Sequence, residues 1–464
     1  MATSSEKSLG KVEIVIKLDC QSAMLNRKIE ETLLRWKKEA SRKPLVVKGC
    51  RQCGKTYSVL AFARNNYRHV VYINFVEKPN YALAFQGSMN VDEIVMNLST
   101  IVSNAVFVKN QTCIILDEIQ ECPEARTALK FFNIDGRYDV IATGSLLGVK
   151  GYGLVREKPT SVPVGYETIV TMYPLDFEEF LWANGISPNI IDKLRQCLNA
   201  EEPVPLAIHE RMRQLLLQYT IVGGMPEVVN NFVVNHNLAT VRTMQRTIVS
   251  EYEDDMIKYA MPSDKSKIRE CFESIPRQLS KENKKFQYSV IRNGGKASQY
   301  LGSLQWIEDA GIITRCRNLS IPELPLEGNA INDTFKVYMA DTGLFVSMLE
   351  DGTAADILQG NLFGYKGAIF ENLIADVFTK MSRKLYYFRK DSGMEVDFVM
   401  RYKGKCTLVE VKSSSGNVKS TKTILAHPEK YHVDSAIKLG DYNIGRKEQL
   451  LTAPLYMAFL LTEV

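Results

Sequence analysis

The 464-residue sequence lacks most of the features that assign a protein to a class at a glance. No stretch approaches the roughly 18 consecutive apolar residues of a membrane span, and the longest candidate, Ala453 to Leu461, contains Pro454. Neither sign of charge dominates. Lys and Arg number 58 against 53 Asp and Glu, a net +5 that does not announce nucleic-acid binding, so any basic face must be local. Histidine is scarce, and His69, His209, His236, His427 and His432 are too dispersed to suggest a ligand set or a Ser-His-Asp arrangement. Nine cysteines, an odd number scattered from Cys20 to Cys406, do not form a secreted disulfide framework and point to a reducing compartment. Residues 1–20 mix Lys and Glu with alternating apolar residues, a poor signal peptide. The expectation is a cytoplasmic protein with no membrane partner. At about 150 residues per domain the length suggests roughly three domains, and 45% hydrophobic residues can fill real cores.

What is present centres on Leu45-Val46-Val47-Lys48-Gly49-Cys50-Arg51-Gln52-Cys53-Gly54-Lys55-Thr56. Gly49, Gly54, Lys55 and Thr56 fill G-x-x-x-x-G-K-S/T, the phosphate loop. Its glycines let backbone N–H groups face phosphate oxygens, and the following helix adds its positive end. Lys55 would neutralise β/γ-phosphate charge and Thr56 would ligate Mg²⁺. An apolar run before the loop and helical spacing after it separate this reading from a chance glycine turn. ATP is therefore the expected cofactor, held by Gly49, Cys50, Arg51, Gln52, Cys53, Gly54, Lys55 and Thr56.

Four apolar runs, 44–47, 69–75, 112–116 and 139–142, alternate with helical stretches, which predicts a parallel sheet covered on both faces. The third ends in Asp117-Glu118. Asp117 would hold Mg²⁺ and Glu118 would orient and polarise the attacking water; a solvated acidic turn is the bland alternative. The fourth ends in Thr143-Gly144-Ser145, where Thr143 or Ser145 could sense the γ-phosphate, although small residues in a tight turn explain it nearly as well. Cys50 and Cys53 have C-x-x-C spacing, but no second Cys or His pair accompanies them to hold zinc. A thiolate favoured by the helix N-terminus would make nucleotide binding sensitive to oxidation.

From Tyr173 to about Ala260 the pattern is helical, broken by Gly223-Gly224, and reads as a lid beside the nucleotide sheet. Residues 263–349 give short helices, then a helix whose Tyr300, Leu304, Ile307 and Ala310 share a face, then extended 314–319 and 335–339. Helices followed by a small hairpin resemble a winged helix, with Lys284, Lys285, Arg292 and Lys296 near its start as candidate DNA contacts or, equally, a solvated face.

A second α/β unit begins near Gly367, with a helix through Glu371 and strands 385–389, 394–400 and 406–411. Glu410 and Lys412, two residues apart, project to one side of a strand, and Asp397 on the neighbouring strand can meet them. Two carboxylates and a lysine suit metal-dependent phosphodiester cleavage. Asp397 and Glu410 would hold Mg²⁺ or Mn²⁺, Lys412 would position or deprotonate water, and Glu371 could add a ligand. An ion pair on an exposed hairpin is the alternative.

Taken together, the phosphate loop, Leu116-Asp117-Glu118-Ile119-Gln120, Ala142-Thr143-Gly144-Ser145, Tyr173-Pro174-Leu175 with Phe177-Glu178-Glu179-Phe180, Gly223-Gly224-Met225-Pro226-Glu227 and Asp341-Thr342-Gly343-Leu344 resemble a prokaryotic AAA+ ATPase family. That family carries a C-terminal domain of unknown function with a restriction-endonuclease-like core. The resemblance runs from Met24 onward. It implies an α/β fold with an N-terminal extension (1–23), an AAA+ nucleotide-binding parallel sheet (24–172), a helical lid (173–262), a winged-helix middle (263–349) and a restriction-endonuclease-like α/β domain (350–464). In that last domain the motif matches at Glu371, Asp397, Glu410 and Lys412. Relatives carry smaller or prolyl residues at Cys50 and Cys53, and often a basic residue at Tyr166, which leaves Arg137 and Arg156 as candidates for an arginine finger. The expected function is an ATPase whose nucleotide state controls a nuclease-like domain acting on DNA, with self-association as a further expectation. The alternative is a nucleotide-switched binding or signalling protein whose C-terminal domain does not cleave.

Overall fold

The computed structural model describes residues 25–145, 165–260, 262–281, 284–361, 365–412 and 418–462. The N-terminal extension and Arg156 lie outside them.

The first unit is built on α1 (Ile29–Lys38), β1 (Leu45–Lys48), α2 (Lys55–Asn66), β2 (His69–Asn74), α3 (Val91–Ile101), β3 (Thr112–Asp117), α4 (Pro123–Asp135), β4 (Asp139–Gly144) and β5 (Thr168–Thr171). The strands are parallel in the order β5-β1-β4-β3-β2. Alternate strand residues face opposite sides, so neighbours in sequence enter different cores. Val47, Ile115 and Ile141 pack with Leu33 and Trp36 of α1 and Leu60 of α2, whereas Val46, Ile114 and Val140 pack with Leu98 of α3 and Phe132 of α4. All of β3 is buried, as a central strand covered on both faces must be. Lys48 pairs with Gly144 and Asn74 with Asp117, so the phosphate loop and the ends of β2, β3 and β4 meet at one sheet edge.

The helical region comprises α5 (Phe177–Ala183), α6 (Pro188–Ala200), α7 (Leu206–Val222), α8 (Pro226–Asn235) and α9 (Leu238–Tyr259). Asp176 and Glu179 form a capping box that starts α5. The middle segment follows the expected order, α10 (Lys265–Leu279), α11 (Tyr288–Ile291), α12 (Ala297–Asp309), then the antiparallel hairpin β6 (Ile313–Leu319) and β7 (Ala330–Met339). α13 (Thr342–Ser347) and α14 (Thr353–Gln359) lead to α15 (Lys366–Lys380).

The hairpin does not end its own domain. The second edge of β6 pairs in parallel with β8 (Leu385–Arg389), which continues to β9 (Glu395–Val396), so one sheet, β7-β6-β8-β9, runs across the expected boundary at residue 350. The last unit has β10 (Phe398–Tyr402), β11 (Lys405–Val411), α16 (Lys419–Leu425), α17 (Pro428–Tyr431), β12 (Ser435–Gly440), β13 (Gly445–Lys447) and β14 (Leu450–Pro454). Its mixed sheet runs β10-β11-β12-β14-β13. α15 is buried from Ala368 to Lys380, which a helix sandwiched between layers requires. One apolar core extends from Leu175 through the helical region and middle segment to Leu461.

Three motifs of the sequence meet at one buried junction. Gly224 N–H donates to Asp341 Oδ2 at 2.6 Å, and Lys380 Nζ donates to the Leu175 carbonyl at 3.1 Å and the Tyr219 hydroxyl at 2.9 Å. Lys380 also pairs with Asp376 at 2.8 Å and Asp341 at 3.5 Å. A Cβ on Gly223 would lie 2.2 Å from Asp341 Oδ1, and one on Gly224 would lie 2.1 Å from the Leu175 carbonyl oxygen. The glycines are there because nothing larger fits.

Candidate functional site

The phosphate loop is shaped by close approach. Gly54 takes φ +93 as the N-cap of α2, and a Cβ on Gly49 would lie 2.0 Å from the Met172 carbonyl oxygen. Lys55 and Thr56 thereby stand in the first turn of α2, beside a cleft of about 430 Å³ lined also by Arg27, Arg51, Gln52, Glu118, Pro226, Glu227 and Asn230. Lys55 Nζ donates to the carbonyls of Gly49 at 3.1 Å and Cys50 at 2.7 Å, so the loop holds its own lysine.

Asp117, 2% exposed, is the centre of a ring of donors. Its carboxylate accepts from Thr56 Oγ1 at 2.9 and 3.1 Å, Tyr72 OH at 2.7 Å, Asn74 Nδ2 at 3.1 Å and Thr143 Oγ1. Thr56 and Asp117 together offer hard oxygen donors in contact, which fits Mg²⁺. Glu118 is half-buried, lines the cleft and holds φ +53, ψ 47, a left-handed conformation that costs a non-glycine residue and that recurs where function fixes a side chain. Its carboxylate accepts from Gln120 Nε2.

Several expected ligands lie elsewhere. Thr143 has its hydroxyl engaged by Asp117. Ser145 is buried with no hydrogen-bond partner for Oγ among the described residues, and it lines a separate cleft with Lys48, Gly49 and Cys50 rather than the one holding Lys55 and Glu118. The Cys50 and Cys53 side chains are buried behind the loop, with Cys53 Sγ 3.5 Å from the Met172 carbonyl. Hydrogen bonding from Cys50 holds the Cys53 thiol down at about 6, helped by the nearby Lys55 and Arg27 charges. Arg137 sits just before β4, at the sheet edge opposite the loop, paired with Asp135 and Asp92, and so does not reach this cleft in its own chain.

Residues that motif reasoning missed support the loop from outside. Arg27 Nη1 donates to the Cys53 carbonyl at 3.0 Å and Nη2 to the Tyr173 carbonyl at 2.7 Å, while Nε pairs with Glu179 at 3.1 Å. From α9, Asp255 pairs with Arg51 at 2.5 Å, Glu251 accepts from Gln52, and Tyr252 OH donates to the Arg51 carbonyl at 3.0 Å. At the turn after α12, a Cβ on Gly311 would lie 3.5 Å from the Cys50 nitrogen, an ordinary contact that places the middle segment against the loop.

The C-terminal cluster is partly as expected. Phe398 pairs with Val409, which puts Asp397 beside Glu410. Lys412 Nζ is 2.7 Å from Glu410 and 3.7 Å from Asp397; Val411 N–H donates to Asp397 at 2.8 Å and Thr421 Oγ1 to Glu410 at 2.7 Å. Burial, with the charges of Glu371 and Glu410 beside it, pushes the Asp397 carboxyl up to about 7. Glu371, expected as a further metal ligand, is engaged by three donors of the chain itself. Its Oε1 accepts from Lys336 at 2.9 Å and from Tyr338 OH, and its Oε2 from Lys284. Burial raises its carboxyl, but the charges of Lys336 and Lys284 outweigh it and leave the group below the usual carboxylate range. Among the described residues no group of three or more His, Cys, Asp or Glu could hold a metal ion. Lys284, expected among the DNA-facing cations, is thus turned inward.

Residues 41–181 match the family model of the AAA domain. Residues 213–355 match a domain of unknown function, DUF8612, and residues 366–456 another, DUF4143. No curated protein matches. Among solved structures, a Walker-type ATPase of Pyrococcus abyssi is similar at 16% identity over 70% of this chain and 96% of that one, with a TM-score of 0.40. A signal transduction ATPase with numerous domains and a tetratricopeptide repeat sensor, from Pyrococcus horikoshii, is 14% identical over 77% of this chain and 46% of that one, TM-score 0.26. The chain thus spans under half the length of that second protein. No described helix is long and apolar enough to cross a membrane. With its loop, its acidic strand end and the family match over the same residues, the segment 41–181 is a P-loop ATPase domain of the AAA type.

Proposed function

We propose that the protein is a cytoplasmic, Mg²⁺-dependent ATPase whose nucleotide state controls a DNA-acting, nuclease-like C-terminal unit. The observation that carries the coupling is the placement of the phosphate loop. It lies between Tyr252 and Asp255 of α9 on one side and Gly311 after α12 on the other, so elements leading to the C-terminal unit touch the nucleotide-binding backbone. Gly54, Lys55, Thr56 and the loop backbone would receive the phosphates. Thr56 and Asp117 would hold Mg²⁺, which neutralises phosphate charge, and Glu118 orients and polarises water at the cleft. Ser145, whose hydroxyl has no partner among the described residues, would sense phosphate only from the neighbouring cleft it lines with Gly49 and Cys50. The middle segment, with its helices and hairpin, is the winged-helix candidate for DNA contact.

At the C-terminal unit Asp397 and Glu410 would carry Mg²⁺ or Mn²⁺, and Lys412 the proton transfer to or from water. Incubation of the full chain with supercoiled DNA, with and without ATP and Mg²⁺ or Mn²⁺, tests this. Nicking that requires the metal and disappears in Asp397→Ala, with ATP turnover unchanged, is the expected result, and undiminished nicking in Asp397→Ala removes the assignment. The engagement of Glu371 by Lys284 and Lys336 favours a second reading, a nucleotide-switched protein that grips DNA without cutting it. Salt-dependent DNA binding without nicking selects that one. Self-association belongs to the same proposal and is read by sedimentation with and without ATP.

A further inference from the structure

Hydrolysis of ATP is fastest when a guanidinium joins Mg²⁺ and the loop lysine at the γ-phosphate, because charge spreads over the phosphoryl oxygens as the bond to ADP breaks. Arg137 is held away by Asp135 and Asp92. Among the described residues the cations lining the cleft are Arg27, Arg51 and Lys55. Arg27 is committed to the fold: its three guanidinium nitrogens serve Glu179 and the carbonyls of Cys53 and Tyr173. Lys55 stands ready for the β/γ-phosphates in the first turn of α2.

Arg51 is placed differently. Tyr252 OH fixes its backbone by donating to its carbonyl at 3.0 Å, while 33% of its side-chain surface stays exposed along the cleft. The guanidinium rests on Asp255 of α9 at 2.5 Å. Next to it Gln52 holds φ +61, the left-handed conformation that Glu118 also holds, and its amide donates to Glu251 of α9. Two strained non-glycine residues thus line one cleft, as recurs where function fixes a side chain. The carboxylate of Asp255 and a terminal phosphoryl group both suit the planar guanidinium fork, and the phosphoryl group carries the greater charge. ADP lacks that group, so an exchange from one to the other reports the γ-phosphate alone.

We infer that Arg51 stabilises the transferring γ-phosphoryl group, and that it leaves Asp255 to do so when ATP binds. This rests on reading Thr56, Asp117 and Glu118 as the hydrolytic set. In the step, the water oxygen forms a bond to the γ-phosphorus. The bond from that phosphorus to the β–γ bridging oxygen breaks, and its electron pair stays on ADP. Glu118 takes the water proton and passes it to solvent. Arg51 transfers no proton; it offsets charge on the phosphoryl oxygens. Asp255 loses its guanidinium at the same moment, which carries the event into α9.

The test compares full-length wild type, Arg51→Met, Arg51→Lys, Asp255→Asn and the double variant Arg51→Met with Asp255→Asn. Steady-state ATP turnover is measured, and ATP and ADP affinities are titrated by fluorescence in a Glu118→Gln background, with circular dichroism as the check on folding. Arg51→Met should turn over ATP about 10³-fold more slowly. It should bind ATP about tenfold more weakly and ADP within about threefold of wild type. Arg51→Lys should regain little turnover, since an ammonium lacks the planar fork. Asp255→Asn should bind ATP about fivefold more tightly with ADP unchanged, and Arg51→Met should abolish that gain. Turnover by Arg51→Met within about threefold of wild type, or equal weakening of ATP and ADP, overturns the role of Arg51 and leaves the hydrolytic set standing. A gain in Asp255→Asn that persists in the double variant overturns the exchange. Wild type that binds ATP without hydrolysing it overturns the hydrolytic reading and this inference with it. Should Arg51→Met not fold, Arg51→Gln is read by the same outcomes.

Discussion

Lys55 and Thr56 are neighbours in the chain with opposite roles in the unliganded loop. Lys55 closes the loop on its own carbonyls, whereas Thr56 already touches the carboxylate beside which Mg²⁺ would bind. ATP must therefore exchange with an internal hydrogen bond rather than enter a ready cradle. Lys55→Ala should abolish ATP binding in a fluorescence titration, because the loop then loses the ammonium placed for the β/γ-phosphates, while Arg51 is paired with Asp255. Glu118→Gln should bind ATP normally and turn over about 10²–10⁴-fold more slowly, the usual worth of a positioned acid or base. At Asp397 the sign runs against the common carboxylate case. Its pKa lies near 7 in the fold against 3.8 as the ordinary value, so between those pH values the folded chain retains a proton that the unfolded chain has released. Stability then falls as pH rises through this window. Asp397→Asn should flatten that dependence, read as a smaller difference in Tm between pH 5.5 and pH 8. The loop, Asp117 and Glu118 could be read from the sequence because their chemistry sits in consecutive residues. Arg27, Tyr72 and Asn74 could not, since an arginine before a helix or an asparagine ending a strand acquires meaning only when folding brings it to Cys53 or Asp117.

At the scale of elements, the strands expected for 385–389 and 406–411 recur within a residue as β8 and β11, since hydrophobic patterning is local information. Gly223-Gly224 was readable as a break between helices but not as a junction. Its partner Asp341 lies 117 residues away, and Lys380 meets Leu175 across 205 residues. Gly224→Ala would press a methyl group onto the Leu175 carbonyl, a contact that backbone cannot vacate cheaply, and should lower unfolding stability by about 1–3 kcal/mol or more. Lys380→Met would leave Asp376 and Asp341 buried without their cation, and should cost about 3–5 kcal/mol in denaturant unfolding. Both losses should appear without any change in the residues that touch nucleotide, which separates a junction from a catalytic part.

For the whole molecule, the expected four-part division describes the order of the chain better than its cohesion. The nucleotide sheet has its own two apolar cores, but the helical region, middle segment and C-terminal unit share one large core, and the hairpin and C-terminal unit share a second, smaller one around Phe388 and Leu408. Composition shifts mark where patterns change, and shared cores leave no such mark. A chain stopped after Leu349 would strip α15 from that core and β8 from β6, and is expected to be aggregated or protease-sensitive on expression. The seam between β6 and β8 has an evolutionary meaning as well. Any gene fusion or exchange joined between Leu319 and Leu385 would deliver a strand to its new host with an unpaired edge, a template for intermolecular pairing. A joint inside that interval separates two strands that pair in the fold, so the hairpin and the tail are expected to work in a new host only when they are moved together.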